Sequence, residues 1–142
     1  MKTIQKTAAA ALTVMALGTT AQTNWKVDAS HSKLGFSVTH LMVSETEGKF
    51  KVYEGTVASK SETDFTDAKI EFSVDVNSIN TDDEKRDGHL KGEDFFDVRK
   101  YNQISFTSSN IEKPDSKGVH ELWGELTMKG ITKQIKLNIE NS

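Results

Sequence analysis

The sequence contains no cysteine, and this absence removes several kinds of chemistry at once. It excludes disulfides, zinc sites built on thiolates and a cysteine nucleophile. The chain also lacks the G-x-S-x-G motif that presents a nucleophilic serine in hydrolases, and its four histidines form no H-x-H or HExxH metal motif. The sequence therefore predicts no catalytic residues, no metal site and no cofactor, and it favours a protein that is not an enzyme.

No apolar run is long enough to cross a membrane. The apolar segment at 7–17 has about 11 residues, whereas a bilayer-spanning helix needs roughly 20. Two lysines precede this segment and small residues follow it at 19–21, which is typical of a secretory signal peptide. We predict a signal peptide over 1–21 and a mature domain over 22–142, exported across the inner membrane to the periplasm without stable membrane insertion. The alternative, a buried N-terminal helix, is disfavoured because polar residues follow at once.

The charge balance is slightly acidic, with 18 Lys and Arg residues against 21 Asp and Glu residues and a formal net charge of −3. No cluster of five or more basic residues interrupts this balance. Because such a surface does not attract polyanions, nucleic acid and anionic lipid surfaces are not expected as partners.

Apolar and polar residues alternate along most of the remaining chain. Ile70, Phe72 and Val74, for example, are separated by Glu71 and Ser73. A period of two is typical of antiparallel strands with one buried face and one hydrated face. The pattern predicts an all-β fold in which an antiparallel barrel, closed or nearly closed, is built from about seven strands at roughly 24–29, 33–42, 48–59, 67–77, 103–113, 118–129 and 132–140.

The segment at 80–97 breaks this alternation and predicts one inserted helix. Thr81 and Glu84 have the spacing of a capping box, and the acidic residues around them suit the first turn of a helix. Gly88 weakens a helix interior by roughly 1 kcal/mol. We therefore expect the helix to be short or broken.

Several short motifs follow one another in an order that covers nearly all of the chain after residue 22. They are Asp28, His31-Ser32, Phe36, Val38, His40-Leu41, Ser44, Gly48, Phe50, Gly55, Arg86-Asp87-Gly88-His89-Leu90, Asp94-Phe95-Phe96-Asp97-Val98, Lys100-Tyr101, Ile104-Ser105-Phe106, Gly124, Leu126-Thr127, Gly130 and Thr132-Lys133. In this order they resemble the YceI-like family of secreted lipid-binding proteins.

The resemblance implies a lipocalin-like barrel around a long apolar tunnel that holds polyisoprenoid-type lipids. Members of that family usually carry several tens of residues beyond the segment that matches 132–139. Without them, we expect the barrel to be incomplete, with an open sheet edge that can pair with a second copy to form a homodimer.

The inward-facing apolar residues are the main candidate ligand-binding site. Two interpretations stand at this point, a lipid cavity and an ordinary packed core, and the resemblance favours the cavity. The residues are Phe36, Val38, Phe50, Phe72, Val74, Phe106 and Leu126.

Three polar residues, His40, Arg86 and His89, are candidates for contacts with a lipid head group at the tunnel mouth. The alternative for Arg86 is that it fixes the helix to the barrel together with Asp87 through a charge-assisted hydrogen bond. The polar segment at 45–48 is predicted as a loop, either one that controls entry to the tunnel or a plain connector.

These observations lead to one functional prediction and one alternative. The prediction is a secreted carrier, sequestering or stress-related protein whose partner is an isoprenoid or other long-chain lipid. The alternative is a packed structural or partner-binding β domain that dimerises through an open sheet edge.

Overall fold

The protein folds into two antiparallel sheets and one helix, because apolar and polar side chains alternate along most of its strands. The structure, a computed structural model, describes residues 21–40 and 44–140. The predicted signal peptide lies outside these ranges except for its last residue. None of the helices in these ranges has the length and the apolar character that crossing a membrane requires.

The described part of the chain forms nine strands and one α-helix. The strands are β1 (Thr23–Lys26), β2 (Leu34–His40), β3 (Ser44–Phe50), β4 (Tyr53–Ser59), β5 (Lys69–Asp75), β6 (Ile79–Asn80), β7 (Gln103–Ile111), β8 (Val119–Met128) and β9 (Ile131–Glu140). Helix α1 (Glu84–Leu90) lies between β6 and β7, and a single 3-10 turn, Val76–Ser78, connects β5 to β6.

The strands belong to a six-stranded sheet, in the order β1-β4-β5-β7-β8-β9, and a three-stranded sheet, in the order β2-β3-β6. Every pairing is antiparallel. The all-β antiparallel fold and the inserted helix are therefore confirmed. The barrel does not close within the described residues, because β1 and β9 form the two outer edges of the larger sheet.

The predicted strand at 48–59 is wrong, because this segment contains a corner between the two sheets. β3 ends at Phe50 and β4 begins at Tyr53. The hydroxyl of Ser78 accepts hydrogen bonds from the backbone N–H groups of Lys51 and Val52, each at 3.0 Å. Ser78, which lies almost 30 positions further along the chain, therefore fixes the corner. The only local sign of the corner in the sequence is the spacing of three positions between Phe50 and Tyr53.

The predicted loop at 45–48 is also wrong, because these residues lie in β3. They pair with β2 from the Phe36–Gly48 pair to the Thr39–Glu45 pair. Few apolar residues mark this strand, since its exposure rises from buried Phe50 towards Ser44. The local composition resembled a loop because only one end of the strand reaches the core.

The core lies where the corner, the 3-10 turn and the segment after α1 meet. Its buried members are Phe50, Tyr53, Val74, Val76 and Ile79. Leu90, Phe96 and Val98, from the end of the helix and the loop that follows, pack against them. The inserted segment therefore covers one end of the space between the sheets.

Helix α1 spans seven residues, and the expectation of a short helix is confirmed. Its cap differs from the predicted one. Asp83 is the N-cap residue, with its Oδ1 accepting a hydrogen bond from the Arg86 N–H at 3.0 Å. Thr81, the predicted cap, is buried and has a different set of partners.

Candidate functional site

The inner face of the six-stranded sheet and the base of the β2–β3 hairpin line an open hollow of about 420 Å³. None of its lining side chains carries a polar atom. We call this space the carbon-lined hollow. Its lining residues are Leu34, Gly35, Phe50, Ile70, Phe72, Val74, Ile104, Phe106, Leu122, Leu126, Ile135 and Leu137. Its volume falls within the range of roughly 300–1,000 Å³ that is common for small-molecule sites.

The strand register builds the wall of the hollow in rows across the sheet. Phe72 on β5 pairs with Phe106 on β7, and Phe106 pairs with Leu126 on β8. Cross-strand partners of this kind point to the same face and contact each other. One row of apolar residues therefore extends over three strands without interruption.

Two glycines make room for the aromatic rings of this wall. A Cβ atom at Gly55 would lie 2.8 Å from a ring carbon of Phe72, and one at Gly124 would overlap the Phe106 ring. Because glycine has no side chain, each ring can lie flat on the neighbouring strand. The rings thus occupy the sheet surface and leave the space above it free.

Exposure along the wall shows where the hollow opens. Val74, Phe106 and Leu122 are buried, whereas Leu137 on the outer strand β9 is 42% exposed. The core described above covers the other end of the hollow at β4 and β5. The hollow is therefore exposed along β9, at Leu137.

The structure brings five of the seven predicted apolar residues together around the hollow: Phe50, Phe72, Val74, Phe106 and Leu126. Phe36 is half-buried, and its ring packs on Phe50 with 5.5 Å between centroids, so it supports the wall without lining the hollow. Val38 is 56% exposed and lies away from it, because the outer part of the β2–β3 hairpin leaves the core.

Sequence reasoning missed six apolar side chains that also line the hollow. They belong to strands that alternation had predicted. Four of them lie on the same face of their strand as a predicted residue, and the other two lie on β9, where no candidate was named. The six are Leu34, Ile70, Ile104, Leu122, Ile135 and Leu137.

Arg86 contacts Thr81 and does not line the hollow. Its Nε donates to Thr81 Oγ1 and its Nη2 donates to the Thr81 carbonyl oxygen, both at 2.8 Å. Asp87 accepts from the Thr81 N–H at 2.8 Å and from Thr81 Oγ1 at 2.6 Å. These bonds fix α1 to Thr81, in the segment between β6 and the helix, whereas the alternative for Arg86 had the helix fixed to the barrel.

The hydrogen bond from the Thr81 hydroxyl, assisted by the one from its backbone N–H, holds the pKa of the Asp87 carboxyl below its ordinary value, and burial opposes this shift. Asp87 is therefore an acceptor-only carboxylate at neutral pH. The sequence predicted Thr81 only as a helix cap, because its role as the shared partner of Arg86 and Asp87 appears only in the folded structure.

The two predicted histidine contacts have different outcomes. The side chain of His40 lies outside the described part of the structure. His89 is exposed and packs edge-on against Phe95, with 5.1 Å between ring centroids, and it does not line the hollow. Among the described residues, no group of three His, Asp or Glu side chains is arranged to hold a metal ion.

The chain is similar to several known proteins. Residues 25–142 match the family model of the YceI-like domain. A UPF0312 protein of Staphylococcus aureus (strain USA300) is 37% identical over 118 residues, which cover 83% of this chain and 65% of the relative. The chain thus spans slightly less than two thirds of that relative's length.

Two solved structures have a similar fold. Burkholderia cenocepacia BcnA has a TM-score of 0.72 at 28% identity, with coverage of 80% of this chain and 70% of BcnA. A polyisoprenoid-binding domain from Saccharophagus degradans, implicated in plant cell wall breakdown, has a TM-score of 0.50 at 18% identity, with coverage of 85% and 64%. At that identity the second likeness concerns the fold.

Proposed function

This chain belongs to the YceI-like domain family, and on that premise we propose that it binds the apolar chain of an isoprenoid-type lipid in the carbon-lined hollow. The observation that carries the proposal is the lining itself, in which no side chain offers a hydrogen bond. Water would find no partner on such a wall. A hydrocarbon loses nothing there, since it has no hydrogen bonds to give up.

The energetics favour a long chain. Each buried methylene contributes about 0.8 kcal/mol, so a segment of ten carbons would contribute roughly 8 kcal/mol before the cost of ordering the ligand. The likeness in fold to a polyisoprenoid-binding domain supports a branched hydrocarbon, because the same architecture accommodates such lipids in that protein.

The biological role belongs to the same proposal. A protein that shields one hydrocarbon chain from water acts as a carrier or a sequestering protein, and no catalytic step is needed for either role. The leader pattern at 1–21 supports export to the periplasm, where such a carrier would move lipids between membranes or withhold them under stress.

Native mass spectrometry tests this function on protein that was purified from its own host without detergent. We expect a monomer that carries one lipid, released by organic extraction and identified by its mass as an isoprenoid. A sample denatured before extraction and then washed serves as the control for lipid that adheres non-specifically. A lipid-free protein that also fails to take up added geranylgeraniol would contradict the proposal.

A second candidate rests on the outer strand β9. Ile131 on this strand is 60% exposed, and β9 has no partner strand on its outer side within the described residues. An unprotected edge of ten residues is a template for pairing with another chain. The same mass spectra distinguish this candidate, since a dimer without lipid would favour a packed, edge-pairing domain.

A further inference from the structure

A second cavity, of about 530 Å³, lies between the loop that connects β4 to β5 and the loop that connects β7 to β8. We call it the loop pocket. Residues 62–66 line it on one side, and residues 111–114 together with His120 line it on the other. Unlike the carbon-lined hollow, it combines apolar side chains, such as Phe65 and Pro114, with charged and polar ones. Such a lining suits a polar group that is attached to an apolar body.

The loop pocket adjoins the hollow on the inner face of the larger sheet. Ile111, which lines the loop pocket, pairs with Leu122, which lines the hollow. His120 lies two positions before Leu122 on β8, on the same face and about 7 Å further along the strand. The core covers the opposite end of the hollow, where Val74 pairs with Ile104. The two cavities therefore follow one another along the sheet, with the loop pocket at the end away from the core.

His120 supplies a hydrogen-bond acceptor in the loop pocket. Its side chain is half-buried, and its Nδ1 lies 3.0 Å from the carbonyl oxygen of Glu112. Because a carbonyl oxygen can only accept, Nδ1 carries the proton in this bond, and Nε2 of the neutral ring is the acceptor. A hydroxyl group in the loop pocket can therefore donate a hydrogen bond to Nε2.

Negative charge predominates in the loop pocket. Its lining contains three carboxylates, those of Glu62, Asp64 and Glu112, and one ammonium group, that of Lys113. The backbone N–H of Thr66 donates to Asp64 Oδ1 at 2.9 Å and holds the pKa of that carboxyl below its ordinary value. These charges repel an anionic end group, whereas a neutral group that donates hydrogen bonds finds several acceptors.

We propose that the loop pocket binds the polar end of the lipid, with His120 Nε2 accepting a hydrogen bond from an alcohol group, while the hydrocarbon chain extends into the carbon-lined hollow. This inference rests on the proposed function and specifies the end group and the direction of its ligand. The tail of the lipid then points towards the core, and an isoprenoid alcohol is preferred over an isoprenoid phosphate.

The first test compares His120→Phe with the wild-type protein, using the full chain. Geranylgeraniol and the corresponding hydrocarbon without the oxygen each displace a fluorescent apolar probe. We expect His120→Phe to weaken binding of the alcohol by roughly three- to tenfold, the value of one hydrogen bond. The affinity for the hydrocarbon should stay the same. Thermal unfolding without lipid checks that the variant is folded.

His89→Phe is the matched control for this variant. His89 is exposed on α1 and lines neither the hollow nor the loop pocket. The same chemical change at this position should alter neither affinity.

The second test concerns charge. Geranylgeranyl monophosphate should bind the wild-type protein at least about fivefold more weakly than geranylgeraniol, because the carboxylates repel it. Combining Glu62→Gln with Glu112→Gln should reduce this difference, and so should added salt, since these charges are exposed. Glu71→Gln combined with Glu125→Gln is the control, because it makes the same change in charge at two exposed residues that line neither cavity.

The third test locates the polar end. An isoprenoid alcohol that carries a diazirine next to its oxygen should label peptides that contain residues 62–66 or 111–120. Labels around Leu137 or in the core instead would contradict the proposed direction of the lipid.

The outcomes separate this inference from the function on which it rests. Unchanged affinity of His120→Phe for the alcohol, or an equal loss for the hydrocarbon, would overturn the role of His120 and leave lipid binding intact. Equal affinity of the wild-type protein for alcohol and monophosphate would overturn the preference for a neutral end group. If none of the three lipids displaces the probe from the wild-type protein, the proposed function itself fails, and the inference fails with it.

Discussion

Leu137→Asp is expected to lower the affinity for a long-chain lipid by at least about tenfold and to leave thermal stability almost unchanged. Leu137 lines the hollow at its exposed end and is 42% exposed. In the free protein the new carboxylate remains hydrated. A lipid in the hollow would take that water away without supplying a hydrogen bond, so the penalty falls on the complex.

Ile131→Asp is the control for this prediction. Ile131 lies on the same strand and the same face, six residues before Leu137, and it is more exposed but does not line the hollow. It should change neither affinity nor stability. Measurements are lipid titration by probe displacement and thermal unfolding. An equal loss of affinity in both variants would show that charge on β9, and not the hollow, determines binding.

Gly124→Ala is expected to destabilise the fold by about 1–3 kcal/mol, the usual cost of overpacking a core. A Cβ atom at this position would overlap the Phe106 ring and lie 2.5 Å from the Thr107 carbonyl oxygen. The ring lines the hollow, and the carbonyl belongs to the backbone of β7. Both must shift, so the substitution strains the wall of the site.

Gly88→Ala is the same chemical change with the opposite expected sign. Gly88 lies in α1, and a Cβ atom there would have no neighbour within 4 Å. Alanine in place of a helical glycine contributes about 0.5–1 kcal/mol of stability. Urea denaturation of both variants measures the contrast. Equal effects of the two substitutions would mean that no aromatic ring lies over Gly124.

The alternation of apolar and polar residues was sufficient for most of the larger sheet. The predicted strands at 103–113, 118–129 and 132–140 each differ by at most two residues per end from the observed β7, β8 and β9. These strands have one buried face and one hydrated face, so the odd or even position of a residue along its strand tells which face it belongs to. The same rule predicted that Phe72, Phe106 and Leu126 lie on one wall.

The sequence was insufficient where one residue acts through distant partners. Ser78 fixes the corner between β3 and β4 from outside either strand. Thr81 has the local pattern of a helix cap, yet its hydroxyl is taken by Asp87 and Arg86. Such roles depend on tertiary geometry and leave no periodic sign.

Photo-crosslinking with an isoprenoid alcohol that carries a diazirine in its chain tests most directly whether the lipid lies between the sheets. After digestion, mass spectrometry locates the labelled peptides. We expect labels on the inner residues of β5, β7 and β8, including Phe72, Phe106 and Leu126. Unlabelled geranylgeraniol should compete for the hollow and prevent this labelling. Labels confined to exposed side chains such as Phe95 and Met128, or labels that unlabelled lipid does not displace, would contradict binding in the carbon-lined hollow.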